Sequence, residues 1–164
     1  MKTLLLTSIS LLFVSAMAIA EQTIEFKDET DPITKRKAIE LKIGQLPDNS
    51  IIFYCVSDAI DPITDKKEKG YWIFAIKPGS TLATYNSAKF QLRFDRTPAI
   101  TFNGYGNKFG AQIDIEPKVR ELLDRAISSK TVYARVDNAD IIQVDLLASR
   151  AELLKFQKRC GEIE

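Results

Sequence analysis

The chain has 164 residues, with 23 lysines and arginines, 22 aspartates and glutamates, two cysteines and no histidine. Without histidine it has no Ser-His-Asp or Cys-His catalytic arrangement and no imidazole metal ligand, and two cysteines cannot form a four-cysteine zinc site. The balanced charge gives no support for nucleic acid or an anionic membrane as a partner, because proteins that bind these usually carry a clustered basic excess.

The first twenty residues predict a secretory signal peptide. Lys2 precedes an apolar run over residues 3–16, and a small-residue A-x-A step ends at Ala20. The apolar run is shorter than the ~20 residues that span a bilayer, so a retained membrane anchor is the weaker alternative. We expect residues 1–20 to be removed and residues 21–164 to form one secreted domain without a membrane span.

The two cysteines, Cys55 and Cys160, predict one disulfide. An even, minimal pair of cysteines in a secreted chain is typical of a disulfide, and the pairing is forced if the bridge is intramolecular. The bridge would close a loop of roughly a hundred residues, for which the chain-entropy estimate is on the order of 4–5 kcal/mol. Two separate reactive thiols are the alternative.

The first half of the domain has the pattern of strands separated by turns. A continuous apolar run over Ser50–Val56 predicts a central strand covered on both faces, because it is rich in β-branched and aromatic residues. The other predicted strands cover residues 23–26, 36–43, 70–76, 89–95 and 97–102.

One turn sequence occurs twice in this half. Asp31-Pro32-Ile33-Thr34 is repeated as Asp61-Pro62-Ile63-Thr64, and aspartate followed by proline favours the first two positions of a type I turn. Because each copy precedes a predicted strand, we interpret them as two similar hairpin turns. A duplicated strand-turn unit, or a surface that both turns form together, is the alternative.

The second half combines a loop, two helices and two strands. Residues 103–110 are rich in glycine and asparagine and predict a loop that exposes Tyr105 and Phe109. Apolar residues at helical spacing predict a helix after Pro117, and strands are predicted over 131–136 and 140–146. The apolar positions of the first helix are Val119, Leu122, Leu123, Ala126 and Ile127.

The last predicted helix starts at Ser149, where Ser149 and Glu152 have the spacing of a capping box, and Gly161 closes it. Leu153, Phe156 and Cys160 share one of its sides. The elements together predict an α+β domain, with an antiparallel sheet or sandwich of about seven to eight strands and two helices that cover part of one sheet. The disulfide would link the core strand to the C-terminal helix.

Candidate site residues lie in two places. Arg93 and Asp95 are predicted to project from the polar face of their strand, where a cross-strand ion pair is the favoured interpretation and contact with a partner is the alternative. Tyr105 and Phe109 are predicted recognition residues of the glycine-rich loop. The aspartates near residues 61–65 and 137–140 lack the spacing of a calcium loop, so we expect no metal and no cofactor.

The order of these features resembles the VasI/TagO-type accessory proteins of type VI secretion loci in proteobacteria. The resemblance rests on the D-P-I-T turn, Cys55, the Arg93-Phe94-Asp95 strand end, the predicted helix over residues 122–127, the Val132-Tyr133-Ala134-Arg135-Val136 strand, the Asp145-Leu146 pair and the final helix ending at Cys160. It implies a periplasmic protein with no catalytic residues to carry over. The chain departs from the family in its charged loop with the second D-P-I-T sequence.

We therefore expect a non-enzymatic binding protein of the periplasm whose partner is a protein or another envelope component. An inhibitor or immunity-type protein, which blocks an enzyme or a phage at the cell envelope, is the alternative and would need a protruding loop at residues 103–110. An enzyme that acts on glycan or peptide through carboxylates is a third reading.

Overall fold

The computed structural model describes residues 21–45, 48–60, 64–80, 87–107 and 110–163. The predicted signal peptide and Phe109 lie outside the described residues. Within the described part, no helix is long and apolar enough to cross a membrane.

The described residues form an α+β fold built on a mostly antiparallel sheet, as predicted. The sheet has nine strands in the order β1-β2-β3-β6-β9-β8-β7-β10-β11, and β4 and β5 form a separate two-stranded hairpin. The elements are β1 (Thr23–Thr30), β2 (Lys37–Gly44), β3 (Ser50–Val56), β4 (Ala59–Ile60), β5 (Lys67–Glu68), β6 (Tyr71–Lys77), β7 (Ala88–Phe94), β8 (Ile100–Asn107), β9 (Gly110–Ile113), α1 (Glu116–Ser128), β10 (Thr131–Val136), β11 (Ile142–Asp145) and α2 (Arg150–Glu162).

Both helices pack on one face of this sheet, which we call the inner face. Helix α1 packs on β6, α2 packs on β2, and the helices contact each other. Alternate residues of the strands bury large apolar side chains beneath them, because side chains of a strand point to opposite faces in turn. The largest of these inner side chains are Phe53, Phe74, Phe90, Ile39, Leu41, Ile43, Ile51, Ile76 and Leu92. Neither of the two described helices packs on the opposite, outer face.

The predicted disulfide joins β3 to α2. Cys55 and Cys160 are bonded across a Cα–Cα distance of 6.1 Å, and both are buried. Beside the bridge, the ring centroid of Phe156 on α2 lies 6.0 Å from that of Phe53 and 5.9 Å from that of Trp72. The bridge therefore anchors α2 where it also packs its aromatic side chain on the sheet.

A side-chain amide links the two ends of the sheet. Gln22, just before β1, donates from Nε2 to the carbonyl oxygen of Asp145 at 2.9 Å and accepts the Asp145 N–H at 2.7 Å. It thus pairs with the backbone of β11 as a neighbouring strand would. Since β1 and β11 stand at opposite ends of the strand order, the sheet must curl to bring them together.

The glycine-rich segment is not the predicted loop. Residues 100–107 form β8 and residues 110–113 form β9. A Cβ on Gly104 would lie 2.4 Å from the carbonyl oxygen of Gln112 and 2.6 Å from Cε2 of Phe90. Glycine is therefore needed here for close packing within the sheet, which is a recurrent role of glycine in strands.

Two details of α2 and one of β3 also differ from prediction. Ser149 precedes α2 without a side-chain capping bond; its Oγ donates to the carbonyl oxygen of Asp145 at 2.9 Å and accepts from Nε2 of Gln22 at 2.9 Å. Gly161 lies inside α2, not beyond its end. In β3, Ile52 and Tyr54 are only half-buried, because they point to the outer face, where no helix covers them.

Candidate binding site on the outer sheet face

Arg93 and Tyr133 form the first part of a candidate site on the outer face. They stand directly opposite each other on β7 and β10. The guanidinium carbon of Arg93 lies 4.6 Å from the centroid of the Tyr133 ring. This cation–π contact contributes about 0.5–1 kcal/mol at an exposed site, and it favours one direction of the guanidinium donors.

Arg135 and Gln91 form the second part. They are the next opposed pair on the same face of the same two strands. Nε of Arg135 donates to Oε1 of Gln91 at 2.9 Å, and a second guanidinium nitrogen donates to the same oxygen. Gln91 thus orients the Arg135 guanidinium with a neutral acceptor.

These four side chains surround a groove of about 270 Å³, which we call the arginine groove. Ile141 and Ala99 also border it, and Ile141 is 62% exposed. The groove therefore combines guanidinium donors with exposed aliphatic side chains.

Arg93 and Arg135 have no carboxylate within 4.0 Å in the described part of the chain. Of the other described arginines, four are paired with a carboxylate at or below that distance, whereas Arg96 and Arg150 have no such partner there. These pairs are Arg36–Glu68, Arg120–Glu116, Arg125–Glu121 and Arg159–Asp28. The arginine groove therefore has two guanidinium groups that no described carboxylate neutralises at ion-pair distance.

Asp95 lies in the turn after β7 and has a structural role. Its backbone φ is 48°, in the left-handed region that aspartate tolerates better than most residues. Its Oδ1 accepts the N–H groups of Lys130 and Thr131, each at 2.9 Å. Asp95 does not border the arginine groove, so the structure does not bring the predicted pair Arg93 and Asp95 together in one site.

Tyr105 is on the same outer face as Arg93 but in a different depression. Its side chain is 61% exposed and stands opposite Gln112 of β9. A depression of about 270 Å³ beside it is bordered by Ile52 and Ala75. Because Tyr105 belongs to β8, the protruding loop expected for an inhibitor is a pair of strands in the part that is described.

Sequence reasoning identified Arg93 and missed Gln91, Tyr133 and Arg135. The alternation within residues 131–136 does place Tyr133 and Arg135 on the polar face of their strand. What the sequence lacks is the register between β7 and β10, which are separated by β8, β9 and α1. Only that register puts the two arginines on one surface.

A larger cleft of about 410 Å³ lies between the ends of β2 and β3 and the edge of β11. Gln45, Asn49 and Gln143 border it, and the Oδ1 atom of Asn49 accepts the N–H of Gly79 at 2.7 Å. Asp140 is the charged residue among those that border it. This cleft is larger than the arginine groove but offers less specific chemistry.

Several carboxylates of the described residues accept turn hydrogen bonds or form surface ion pairs. Hydrogen bonds from Thr34 and Ile33 lower the pKa of Asp31, and Lys67 lowers the pKa of Asp58. Oδ1 of Asp137 accepts the N–H of Lys89 at 2.8 Å. In the described part, no group of three or more carboxylate or cysteine side chains is arranged to hold a metal ion.

Comparison with known proteins returns no family model, no curated protein and no solved structure that matches this chain.

Proposed function

We propose that the protein is a non-enzymatic binding protein of the periplasm, and that its arginine groove contacts a protein or another component of the cell envelope. The predicted signal peptide and the disulfide support a secreted location. The resemblance to VasI/TagO-type proteins supports an accessory role in type VI secretion. The arginine groove is the feature that carries the binding proposal.

The argument rests on how the two arginines are held. Holding a long side chain in one orientation costs conformational entropy, which an internal ion pair often helps to offset. Arg93 is oriented by an aromatic ring and Arg135 by an amide, and neither has a carboxylate of the described residues within 4.0 Å. Such preorganised donors lower the entropic cost of binding a ligand, because the side chains are ordered before the ligand arrives.

A crosslinking pull-down from the envelope fraction tests this function. The wild-type chain is compared with a variant carrying Arg93→Gln and Arg135→Gln. Arg96→Gln is the control for loss of a positive charge outside the groove, because Arg96 is exposed and lies in the turn between β7 and β8.

We expect wild type and Arg96→Gln to recover the same crosslinked partner and the double variant to lose it. A partner recovered equally by all three proteins would contradict the role of the groove. A parallel Tyr105→Ala variant shows whether the neighbouring depression contributes to the same contact.

A further inference from the structure

We propose that the ligand of the arginine groove is an acidic segment of a partner polypeptide, in which an aspartate or glutamate lies next to an apolar residue. This inference rests on the proposed function, because it names the chemistry of the partner for the same groove. Its support comes from the charge, the spacing and the walls of the groove.

The residues that orient the two arginines leave both positive charges uncompensated. Tyr133 offers Arg93 an aromatic ring, and Gln91 offers Arg135 a neutral amide oxygen. Each stands at the directly opposed position, where an acidic side chain would form a cross-strand ion pair. The protein places no negative charge at these positions, so the ligand has to supply it.

The spacing of the arginines suits carboxylates presented by an extended chain. Arg93 and Arg135 are diagonal neighbours on adjacent antiparallel strands, a relation that separates such positions by about 7–8 Å. Alternate side chains of an extended peptide have a similar separation of about 6.6–7 Å. The planar guanidinium group can donate two parallel hydrogen bonds to one carboxylate, which a lysine ammonium cannot.

The walls of the groove favour a peptide over a membrane surface. Ile141 and Ala99 place exposed aliphatic groups beside the guanidinium groups, so a ligand gains from carrying an apolar side chain next to its acid. Polybasic segments that hold proteins at anionic membranes have clusters of about four to eight lysines or arginines. The groove has two arginines, and the net charge of the chain is +1.

A random-peptide array tests the inference directly. The full chain is produced with its disulfide formed, labelled, and bound to the array as wild type, as Arg93→Gln/Arg135→Gln and as the control Arg96→Gln. The readout is the amino-acid composition of the bound peptides. The strongest peptide is then resynthesised with glutamine or asparagine in place of its acids, and its affinity is measured in solution.

We expect wild type and Arg96→Gln to select peptides enriched in aspartate and glutamate beside apolar residues, and the double variant to lose this enrichment. Loss of one arginine, or of the matching acid, should weaken the selected peptide about tenfold or more, because a hydrogen bond between charged groups is at stake. Arg135→Lys should fall between wild type and Arg135→Gln, since it keeps the charge without the bidentate geometry.

Two results would overturn the inference. One is an array selection without acidic enrichment. The other is arginine-dependent binding of inorganic phosphate or of phosphatidylglycerol vesicles that exceeds binding of the selected peptides. If the pull-down still depends on the two arginines in either case, the proposed function stands and only the partner class is wrong.

Discussion

Asp95 stabilises the junction between β7 and β10 with one carboxylate oxygen. The Asp95→Ala variant removes the acceptor of two backbone N–H groups and places alanine at a left-handed φ of 48°. We expect the free energy of unfolding to fall by about 2–3 kcal/mol. Asp95→Asn keeps an oxygen acceptor and tolerates the backbone conformation, so its free energy of unfolding should fall clearly less. Urea denaturation measures both, and equal losses would contradict this account.

The turn after β1 makes stability depend on pH. Hydrogen bonds from the Thr34 and Ile33 backbone N–H groups, at 2.6 and 2.8 Å, hold the pKa of Asp31 below its ordinary value. The folded protein therefore binds this proton less readily than the unfolded chain. The stabilisation is present above the ordinary pKa of an aspartate and is lost as the pH falls through the lowered pKa.

The variant Asp31→Asn tests this dependence. Asparagine can still accept the turn hydrogen bonds but does not titrate. Urea midpoints measured from neutral pH into the acid range should decline less steeply for the variant than for wild type. An unchanged decline would show that Asp31 does not contribute to acid sensitivity.

The sequence predicts which face of a strand a single side chain takes better than it predicts which two side chains lie together. The sequence indicates Arg93 because it alternates with the buried Leu92 and Phe94 within one strand. Asp95, two positions further, was expected to follow the same alternation, but the strand ends at Phe94 and the chain turns. Where a strand ends depends on its partner strands, which a local pattern does not contain.

Replacing a glycine by alanine is expected to lower the stability of the protein in strand β8 and to raise it in helix α2. At Gly104 an added Cβ would meet Phe90 and the Gln112 carbonyl oxygen at 2.6 Å or less, whereas at Gly161 it would meet nothing within 4 Å. We expect Gly104→Ala to destabilise the protein by about 1–3 kcal/mol through overpacking. Gly161→Ala should stabilise it by about 0.5–1 kcal/mol, because alanine is the better helix former.

Thermal unfolding of the two variants, each compared with wild type, separates these effects. Both variants carry the same chemical change, so a shift of the melting temperature in the same direction would contradict the packing explanation for Gly104. The pair also shows whether the β8–β9 hairpin is part of the cooperative fold.

Elements whose apolar residues repeat at a regular spacing can be predicted from the sequence, whereas the strands that contain several glycines cannot. Helix α1 has buried residues at the expected helical spacing, including Val119, Leu122 and Leu123. Strands β8 and β9 have glycines at positions 104, 106 and 110, which local rules assign to turns. These glycines belong to strands because of neighbours distant in sequence, such as Phe90, which the pattern of the segment itself does not include.

Two contacts, one hydrogen-bonded and one covalent, connect segments that are far apart in the chain. Gln22 pairs with the backbone of Asp145, and the disulfide joins Cys55 to Cys160 across 105 positions. The disulfide was predictable from the count of cysteines, because two cysteines allow one intramolecular pairing. The Gln22 contact was not, since no local pattern indicates that the two ends of the sheet meet.

Removing the disulfide should cost a large part of the stability. For the Cys55→Ala/Cys160→Ala variant, we expect the free energy of unfolding to fall by about 3–5 kcal/mol, because the unbridged chain has far more conformations when unfolded. Urea denaturation of the variant should be insensitive to reductant, whereas wild type with reductant should approach the variant. A loss below about 1 kcal/mol would contradict the entropic explanation.

The same bridge has a consequence for resistance to proteases. A single cut of the backbone anywhere between Cys55 and Cys160 produces two fragments that remain joined through sulfur. Strands on both sides of the cut can stay paired in the same sheet, so the fragments need not diffuse apart. A protein clipped once in an exposed turn should therefore migrate as one species on a denaturing gel until reductant is added. Under native conditions the clipped protein should keep the arginine groove in place.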